Sequence, residues 1–223
     1  MSRATGPVRS RSFGAAAEEL ATRDEVVARL VGAFGLPRLG RRDTTHFGAL
    51  VQSIVFQQLA GKAAATIHGR LLAALDGDAT PGAVLALRPE ELRAAGLSAN
   101  KAASLCDLAA KVDDGTVVLD PRGLAREPDD EVVARLTTVR GIGRWTAEMF
   151  LLFQLRRLDV WPTGDLGVRR GFGVAWGTAM PDPKELEPLG EPFRPYRSVV
   201  AWYCWRAAEH PELAAAASTG RSP

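Results

Sequence analysis

The chain has 223 residues, of which 46% are hydrophobic and 24% are charged, a balance typical of a globular protein with a sizeable core. Its 28 lysines and arginines against 26 aspartates and glutamates leave a net charge of +2, so the whole chain is neither polybasic nor acidic and any positive patch must be local. Two cysteines are too few for a four-cysteine zinc or iron–sulfur site, or for a disulfide-dense secreted scaffold.

The sequence predicts neither a secretory signal nor a membrane-spanning segment. Residues 1–14 contain three arginines but lack the apolar core of a secretory signal. The densest apolar stretch, residues 149–155, is far shorter than the roughly 18 residues that span a bilayer. We therefore expect a reduced intracellular protein with no membrane partner.

Strong helix formers dominate from residue 15 onward, and clusters of β-branched residues are scarce, so the sequence predicts an all-α fold. Residues 1–14 are expected to form a flexible tail and residues 211–223 a frayed one. Apolar spacing and stop signals predict helices over residues 15–34, 46–58, 61–75, 81–87, 89–95, 99–113, 128–138, 144–155, 165–172, 183–189 and 195–209.

The most informative stretch is the turn Gly141-Ile142-Gly143, which lies between two amphipathic segments. Glycine permits backbone angles that are closed to other residues, and Ile142 can fill the seam between two helices. The amides that open the second helix then face outward at its positive dipole end, an arrangement that suits a phosphate. An ordinary helix–helix turn also favours glycine, so the turn alone leaves both interpretations open.

A loop rich in glycine and proline follows at residues 160–171, and it places Asp165 twenty residues after Trp145. A hairpin followed by such a loop and an aspartate resembles the signature of the helix-hairpin-helix DNA glycosylase superfamily. The resemblance covers about residues 25–210 and is strongest to the 3-methyladenine DNA glycosylase II (AlkA-like) branch. Three further segments support it: residues 57–63, residues 96–101 and residues 196–205.

The resemblance implies a two-lobed, all-α helical bundle in which DNA binds in the cleft between the lobes. One lobe is expected at about residues 46–160, and the other combines about residues 15–45 with residues 161–210. AlkA-like proteins often begin with a small β-rich domain, and the few residues before the first shared segment leave no room for one. We therefore expect a helix-hairpin-helix glycosylase domain at residues 15–210 that lacks the N-terminal β domain.

By the same resemblance, Asp165 is the catalytic carboxylate. An N-glycosidic bond breaks through an oxocarbenium-like sugar, whose charge a fixed carboxylate stabilises while it orients or deprotonates the attacking water. Bifunctional members carry a lysine where this chain has Trp145, so we expect a monofunctional enzyme that leaves an abasic site. The position before a predicted helix also suits Asp165 as an N-cap, and the two roles can coexist.

Alkylated purines such as 3-methyladenine and 7-methylguanine already carry positive charge and depart without a strong general acid. No acid or histidine is placed beside Asp165, since the three histidines lie outside both motifs. Alkylated purines in duplex DNA are therefore the expected substrates. Two alternatives stay open: a helix-hairpin-helix protein that binds damaged DNA without catalysis, and a glycosylase for deaminated or oxidised bases.

The expected base pocket is aromatic, because electron-rich rings attract a cationic purine. The resemblance places Trp145, Met149 and Trp205 in this pocket, with Met149 standing where relatives often have tyrosine. Methionine still offers a polarisable and adaptable wall. Core packing is the competing interpretation for the tryptophans.

The resemblance also places Leu59 at the wedge that fills the gap left by an extruded base, and Gln57 or Gln58 beside the orphaned base. Ser98 with Lys101 is a weak echo of the hairpin and suggests either a second phosphate contact or a plain capped helix. The predicted DNA-binding residues are Gln58, Leu59, Ser98, Lys101, Gly141, Ile142, Gly143 and Thr146.

No organic cofactor is expected, and the sequence offers no side-chain ligands for a metal. The resemblance implies a monovalent cation, Na+ or K+, on hairpin backbone carbonyls near Val139 and Ile142. The expected partner is double-stranded DNA with alkylated bases. The protein is expected to act as a monomer in the cytoplasm, associated with the nucleoid.

Overall fold

The structure is a computed structural model that describes residues 12–40 and 42–216. The described residues are helical and contain no β-strand, which confirms the all-α prediction. Of the tails predicted for residues 1–14 and 211–223, residues 1–11 and 217–223 lie outside the described residues. No helix in the described ranges is long and apolar enough to cross a membrane.

The described chain folds into successive short helices joined by turns. The α-helices are α1 (Phe13–Ala21), α2 (Glu25–Phe34), α3 (His46–Phe56), α4 (Gly61–Ala74), α5 (Pro81–Ala86), α6 (Pro89–Ala94), α7 (Ala99–Asp113), α8 (Pro121–Arg126), α9 (Asp129–Leu136), α10 (Arg144–Met149), α11 (Leu166–Trp176), α12 (Pro183–Leu189), α13 (Arg197–Glu209) and α14 (Pro211–Ala216). A π-helical turn (Phe150–Gln154) extends α10, and a 3₁₀ turn (Glu191–Phe193) precedes α13.

The chain divides into two compact units. Within the described chain, unit 1 contains residues 12–40 and 157–216, and unit 2 contains residues 42–156. In unit 1, α11 packs along α13, and α1, α2 and α14 complete the core. In unit 2, α3 contributes fully buried apolar side chains and packs against α4, α7 and the π-helical turn.

The predicted helix over residues 15–34 is wrong as a single element, because Asp24 interrupts it. The Asp24 side chain accepts a hydrogen bond from the backbone N–H of Val27 at 2.8 Å and so begins α2 as an N-cap. The first helix also begins earlier than expected, since Ser12 caps it through the backbone N–H of Ala15 at 3.1 Å. Residue Phe13 is buried and therefore does not belong to a flexible tail.

Three further elements differ from the prediction. The helix α8 was not predicted, although Asp120 before Pro121 is an N-cap and first-turn proline pair. The segment predicted to be frayed after residue 210 forms α14 as far as Ala216, with Ala214 buried. The helix predicted over residues 144–155 ends in the π-helical turn, closed by a hydrogen bond of 3.0 Å from the N–H of Leu155 to the carbonyl of Phe150.

Candidate functional site

In unit 1, the candidate catalytic residue Asp165 is the N-cap of α11. Its Oδ1 atom accepts a hydrogen bond from the backbone N–H of Val168 at 2.8 Å and another from Nε1 of Trp205 at 2.9 Å. The side chain is half-buried. The N-cap geometry expected for Asp165 is therefore present, and two N–H donors fix the orientation of the carboxylate.

The role of Trp205 goes beyond the pocket wall predicted from the sequence, because its indole N–H binds the carboxylate of Asp165. This contact requires glycine at position 167. A Cβ atom on Gly167 would lie 2.8 Å from Cδ1 of Trp205 and 3.1 Å from Oδ1 of Asp165. Gly167 was not identified as a site residue from the sequence. Its position two residues after the candidate aspartate was the feature that could have revealed it.

The loop that leads into α11 is held by the first turn of α13. Arg197 is only 7% exposed, and its Nε donates to Oδ1 of Asp159 at 2.7 Å. The hydroxyl of Ser198 accepts from the backbone N–H of Val160 at 2.8 Å and donates to the carbonyl of Arg157 at 2.7 Å. These side chains, which the sequence marked only as part of the family resemblance, fix the backbone just before the candidate aspartate.

The helices α11 and α13 approach each other at backbone distance. A Cβ atom on Gly171 would overlap the backbone oxygen of Cys204, so only glycine permits this packing. Cys204 is fully buried. Burial raises the pKa of its thiol, and the negative charge of Asp165 raises that pKa further, which makes Cys204 a core residue rather than a nucleophile.

In unit 2, the glycine turn joins α9 to α10. Ile142 and Val139 are buried, as expected for residues that fill the seam between two helices. Gly141 has a φ of 76°, a left-handed conformation that favours glycine. Gly143 is the N-cap of α10, and no side chain caps this helix. The backbone N–H groups of its first turn therefore make no hydrogen bond to an N-cap side chain.

Gln57, at the C-terminal end of α3, contacts this hairpin directly. Its Nε2 donates to the carbonyl of Gly141 at 2.9 Å and lies 3.4 Å from Oγ1 of Thr146. Thr146 is buried, so its side chain faces Gln57 inside unit 2, and only its backbone could serve the predicted DNA contact. A Cβ atom on Gly141 would lie 2.5 Å from Oγ of Ser104, which shows that α7 also packs closely on the turn.

Ser98 and Lys101 belong to a capped helix. The hydroxyl of Ser98 accepts from the backbone N–H of Lys101 at 3.3 Å and is the N-cap of α7. The Nζ atom of Lys101 donates to the carbonyls of Val55 and Gln57 at 2.7 and 2.8 Å, and burial lowers the pKa of this lysine. The ammonium group is thus bound to the end of α3, an interaction that the sequence did not predict.

The predicted wedge and the predicted pocket residues of unit 2 differ in exposure. Leu59 is 39% exposed and Trp145 is 49% exposed, so core packing does not explain either residue. Met149 is half-buried. Gln58, just before the wedge position, is exposed and has a φ of 55°, a value that is uncommon for a residue with a side chain.

Two of the other tryptophans follow the competing interpretation of core packing. Trp161 is buried and its Nε1 donates to the carbonyl of Leu186 at 3.0 Å. Trp176 stacks on Phe172 with ring centroids 4.3 Å apart. These aromatic side chains stabilise unit 1 and were not assigned to the pocket.

Within the described residues, no group of three or more histidine, cysteine, aspartate or glutamate side chains could hold a metal ion. The monovalent cation predicted near Val139 and Ile142 would use backbone carbonyls instead. The carbonyl of Val139 accepts the backbone N–H of Ile142 at 3.1 Å, as in an ordinary turn. The cation remains a prediction.

Comparison with known proteins relates this geometry to a family. Residues 51–195 match the HhH-GPD family, which is described as the HhH-GPD superfamily of base excision DNA repair proteins. The chain is 32% identical over 186 residues to DNA-3-methyladenine glycosylase 1 of Schizosaccharomyces pombe. This match covers 82% of this chain and 81% of that protein.

Solved structures agree with the sequence comparison. The 3-methyladenine DNA glycosylase of Schizosaccharomyces pombe in complex with abasic DNA superposes with a TM-score of 0.75 and 32% identity, over 87% of this chain and 96% of that one. The DNA-3-methyladenine glycosidase of Bacillus halodurans gives a TM-score of 0.79 and 33% identity, over 90% of this chain and 93% of that one. The chain therefore belongs to the HhH-GPD superfamily of base excision DNA repair proteins, in its 3-methyladenine glycosylase branch.

Proposed function

We propose that this protein is a monofunctional DNA glycosylase that hydrolyses the N-glycosidic bond of alkylated purines, such as 3-methyladenine and 7-methylguanine, in duplex DNA. The observation that carries the proposal is the carboxylate of Asp165, which is half-buried and fixed by two N–H donors at the start of α11. The chain matches its relatives over most of their length, and these relatives are named 3-methyladenine glycosylases. Their names support the substrate class. The proposed partner is double-stranded DNA with alkylated bases, bound by a monomer at the nucleoid.

In the proposed reaction, the carboxylate of Asp165 balances the positive charge that develops on the sugar as the base departs. The alkylated base leaves with the electron pair of the glycosidic bond and so becomes neutral. Water then forms the new bond to the anomeric carbon, and its proton passes to the carboxylate or to solvent. The products are a free base and an abasic site, with no covalent enzyme intermediate, since tryptophan at position 145 offers no amine for a Schiff base.

The remaining predicted residues divide the work of binding. Trp145 and Met149 supply aromatic and polarisable surface for the extruded cationic base. Leu59 enters the gap in the base stack. The amides of Gly141 and Gly143 bind backbone phosphate, because the turn presents N–H groups at the start of a helix.

The proposal is tested with Asp165→Asn and a matched control, Asp182→Asn. Asp182 is also an N-cap in unit 1, where it holds the first turn of α12. We expect Asp165→Asn to abolish the release of 3-methyladenine and 7-methylguanine from methylated duplex DNA while its affinity for abasic-analogue DNA stays near that of the wild type. We expect Asp182→Asn to retain release.

Two outcomes would contradict the proposal. If the wild-type protein binds methylated duplex DNA but releases no base, the damage-binding alternative replaces it. If the wild type releases hypoxanthine or uracil from duplex controls and no methylated purine, the catalytic assignment stands but the substrate class is wrong.

A further inference from the structure

The ammonium group of Lys101 closes the C-terminal end of α3. It donates to two backbone carbonyls at this end, those of Val55 and Gln57, at 2.7 and 2.8 Å. The last carbonyls of a helix have no intrahelical partner and carry the negative end of its dipole, so a cation there stabilises the end. Two of the three N–H donors of the lysine are thereby used inside unit 2.

Gln57 is held on both of its sides. Its backbone carbonyl accepts from Lys101, and its side-chain amide donates to the carbonyl of Gly141 at 2.9 Å. The residue therefore connects the end of α3 to the glycine turn of the hairpin. Because both contacts are hydrogen bonds of ordinary length, the place where the chain leaves α3 is fixed relative to that turn.

The chain that follows Gln57 is strained and carries an exposed leucine. Gln58 has a φ of 55°, a conformation that a residue with a side chain keeps only when its surroundings impose it. Leu59 comes next and is 39% exposed. The turn is closed by a hydrogen bond of 3.4 Å from the backbone N–H of Leu59 to the carbonyl of Phe56, and its second residue, Gln57, is the one that Lys101 and Gly141 hold.

We propose that Lys101 is a positioning residue that acts through Gln57 to hold the exposed turn of residues 57–60 against the hairpin, so that Leu59 enters the base stack at a fixed distance from the bound phosphate. This inference rests on the proposed glycosylase function and assigns Lys101 a role in base extrusion. It replaces the phosphate contact predicted for Lys101 from the sequence.

The two roles predict different consequences for DNA binding. A lysine that neutralises a phosphate releases a counterion, so its loss lowers the slope of log affinity against log salt by about one and weakens binding to every sequence. A lysine that positions the wedge leaves that slope unchanged. Its loss instead slows excision where a base pair must be opened, because a misplaced wedge no longer fills the gap.

The experiment compares Lys101→Met, Lys101→Arg, Gln57→Ala and the control Lys184→Met, which removes one exposed lysine from α12. Single-turnover release of 7-methylguanine is measured on two short duplexes. In one the lesion pairs with cytosine, and in the other it lies opposite a tetrahydrofuran abasic analogue, which leaves it unpaired. Affinity for undamaged duplex is measured at several salt concentrations, and urea unfolding reports on the fold.

For Lys101→Met we expect release from the paired duplex to fall about tenfold to a hundredfold, release from the unpaired duplex to fall far less, and the salt slope to equal that of the wild type. Gln57→Ala should show the same pattern while Lys101 remains bound to the carbonyls at the end of α3, so it tests the inference if Lys101→Met does not fold. Lys101→Arg, which keeps the charge and the donors, should recover part of the loss. Lys184→Met should match the wild type.

A salt slope lowered by about one in Lys101→Met, with equal losses on both duplexes, would overturn the inference in favour of a phosphate contact. Release of 7-methylguanine from the paired duplex at the wild-type rate by both Lys101→Met and Gln57→Ala would also overturn it. If the wild-type protein itself releases no base from either duplex, the proposed function fails, and that result is distinct from both.

Discussion

Replacing Gly167 by alanine should lower activity although it favours the helix. The added Cβ would lie 2.8 Å from Cδ1 of Trp205 and 3.1 Å from Oδ1 of Asp165. Since carbon atoms pack at about 3.5–4.0 Å, the indole ring must move away. This movement breaks the hydrogen bond of 2.9 Å between Nε1 of Trp205 and the carboxylate.

The expected magnitude follows from the bond that is lost. A hydrogen bond to a charged group contributes about 1.5–3 kcal/mol, and both side chains are half-buried, so solvent replaces the contact only in part. If the bond holds the carboxylate in place in the transition state, its loss lowers the rate about 10-fold to 150-fold, at about 1.4 kcal/mol per factor of ten. Alanine in place of glycine within a helix raises the free energy of unfolding by about 0.5–1 kcal/mol, so a lower rate would not be explained by a weaker helix.

The assay is single-turnover release of 7-methylguanine by Gly167→Ala, with urea unfolding and binding to abasic-analogue duplex measured in parallel. The matched control is Gly69→Ala, because Gly69 lies within α4 and a Cβ there would meet no atom within 4 Å. We expect Gly69→Ala to release base at the wild-type rate. A second variant, Trp205→Phe, removes the same N–H donor while it keeps an aromatic ring, and it should lose activity to a similar extent.

The reasoning would be refuted if Gly167→Ala released 7-methylguanine at the wild-type rate. In that case the indole contact would not govern the position of the carboxylate. Loss of abasic-DNA affinity together with a lower unfolding midpoint would point to damage of unit 1 as a whole rather than to the one hydrogen bond.

Three further predictions concern the wedge, the core and pH. Leu59→Ala should change stability by less than about 0.5 kcal/mol, because Leu59 is exposed, yet it should slow release of paired 7-methylguanine; equal release would exclude a wedge. Gly171→Ala should destabilise unit 1 by about 3 kcal/mol or more in urea unfolding, since its Cβ would overlap the backbone of Cys204. Burial and the charge of Arg42 lower the pKa of His46, so its contribution to stability is present above about pH 6.5 and is lost as the pH falls through the folded-state pKa; the unfolding midpoint should fall in acid, and less so in His46→Asn.

Most of the helices could be predicted because their signals are local. The helix over residues 99–113 was placed at the bounds of α7, since a serine cap precedes it and its apolar spacing is regular. Prediction failed where a cap interrupts a continuous apolar pattern, as Asp24 does between α1 and α2. It also failed at the π-helical turn, because the extra residue within one turn depends on packing around it and not on the spacing of apolar residues.

The candidate site was only partly accessible to sequence reasoning. The hairpin and Asp165 stand at a recognisable spacing along the chain. The contacts that set their geometry join residues far apart in sequence: Trp205 lies 40 positions from Asp165, Lys101 lies 46 from Val55, and Gln57 lies 84 from Gly141. Neither periodicity nor a short motif contains such pairings. For the same reason Lys101 was predicted to bind a phosphate, although the structure directs its ammonium group to backbone carbonyls.

The capping role of Asp165 and its proposed catalytic role can be separated by one substitution. Asparagine is as good an N-cap as aspartate, and its amide oxygen can accept the same two hydrogen bonds from Val168 and Trp205 that Oδ1 accepts. Asp165→Asn therefore preserves the start of α11 and removes only the negative charge. An oxocarbenium-like sugar needs that charge, whereas the fold does not. A variant that unfolds like the wild type and binds abasic-analogue duplex, but releases no alkylated base, would thus locate the chemistry in the carboxylate itself.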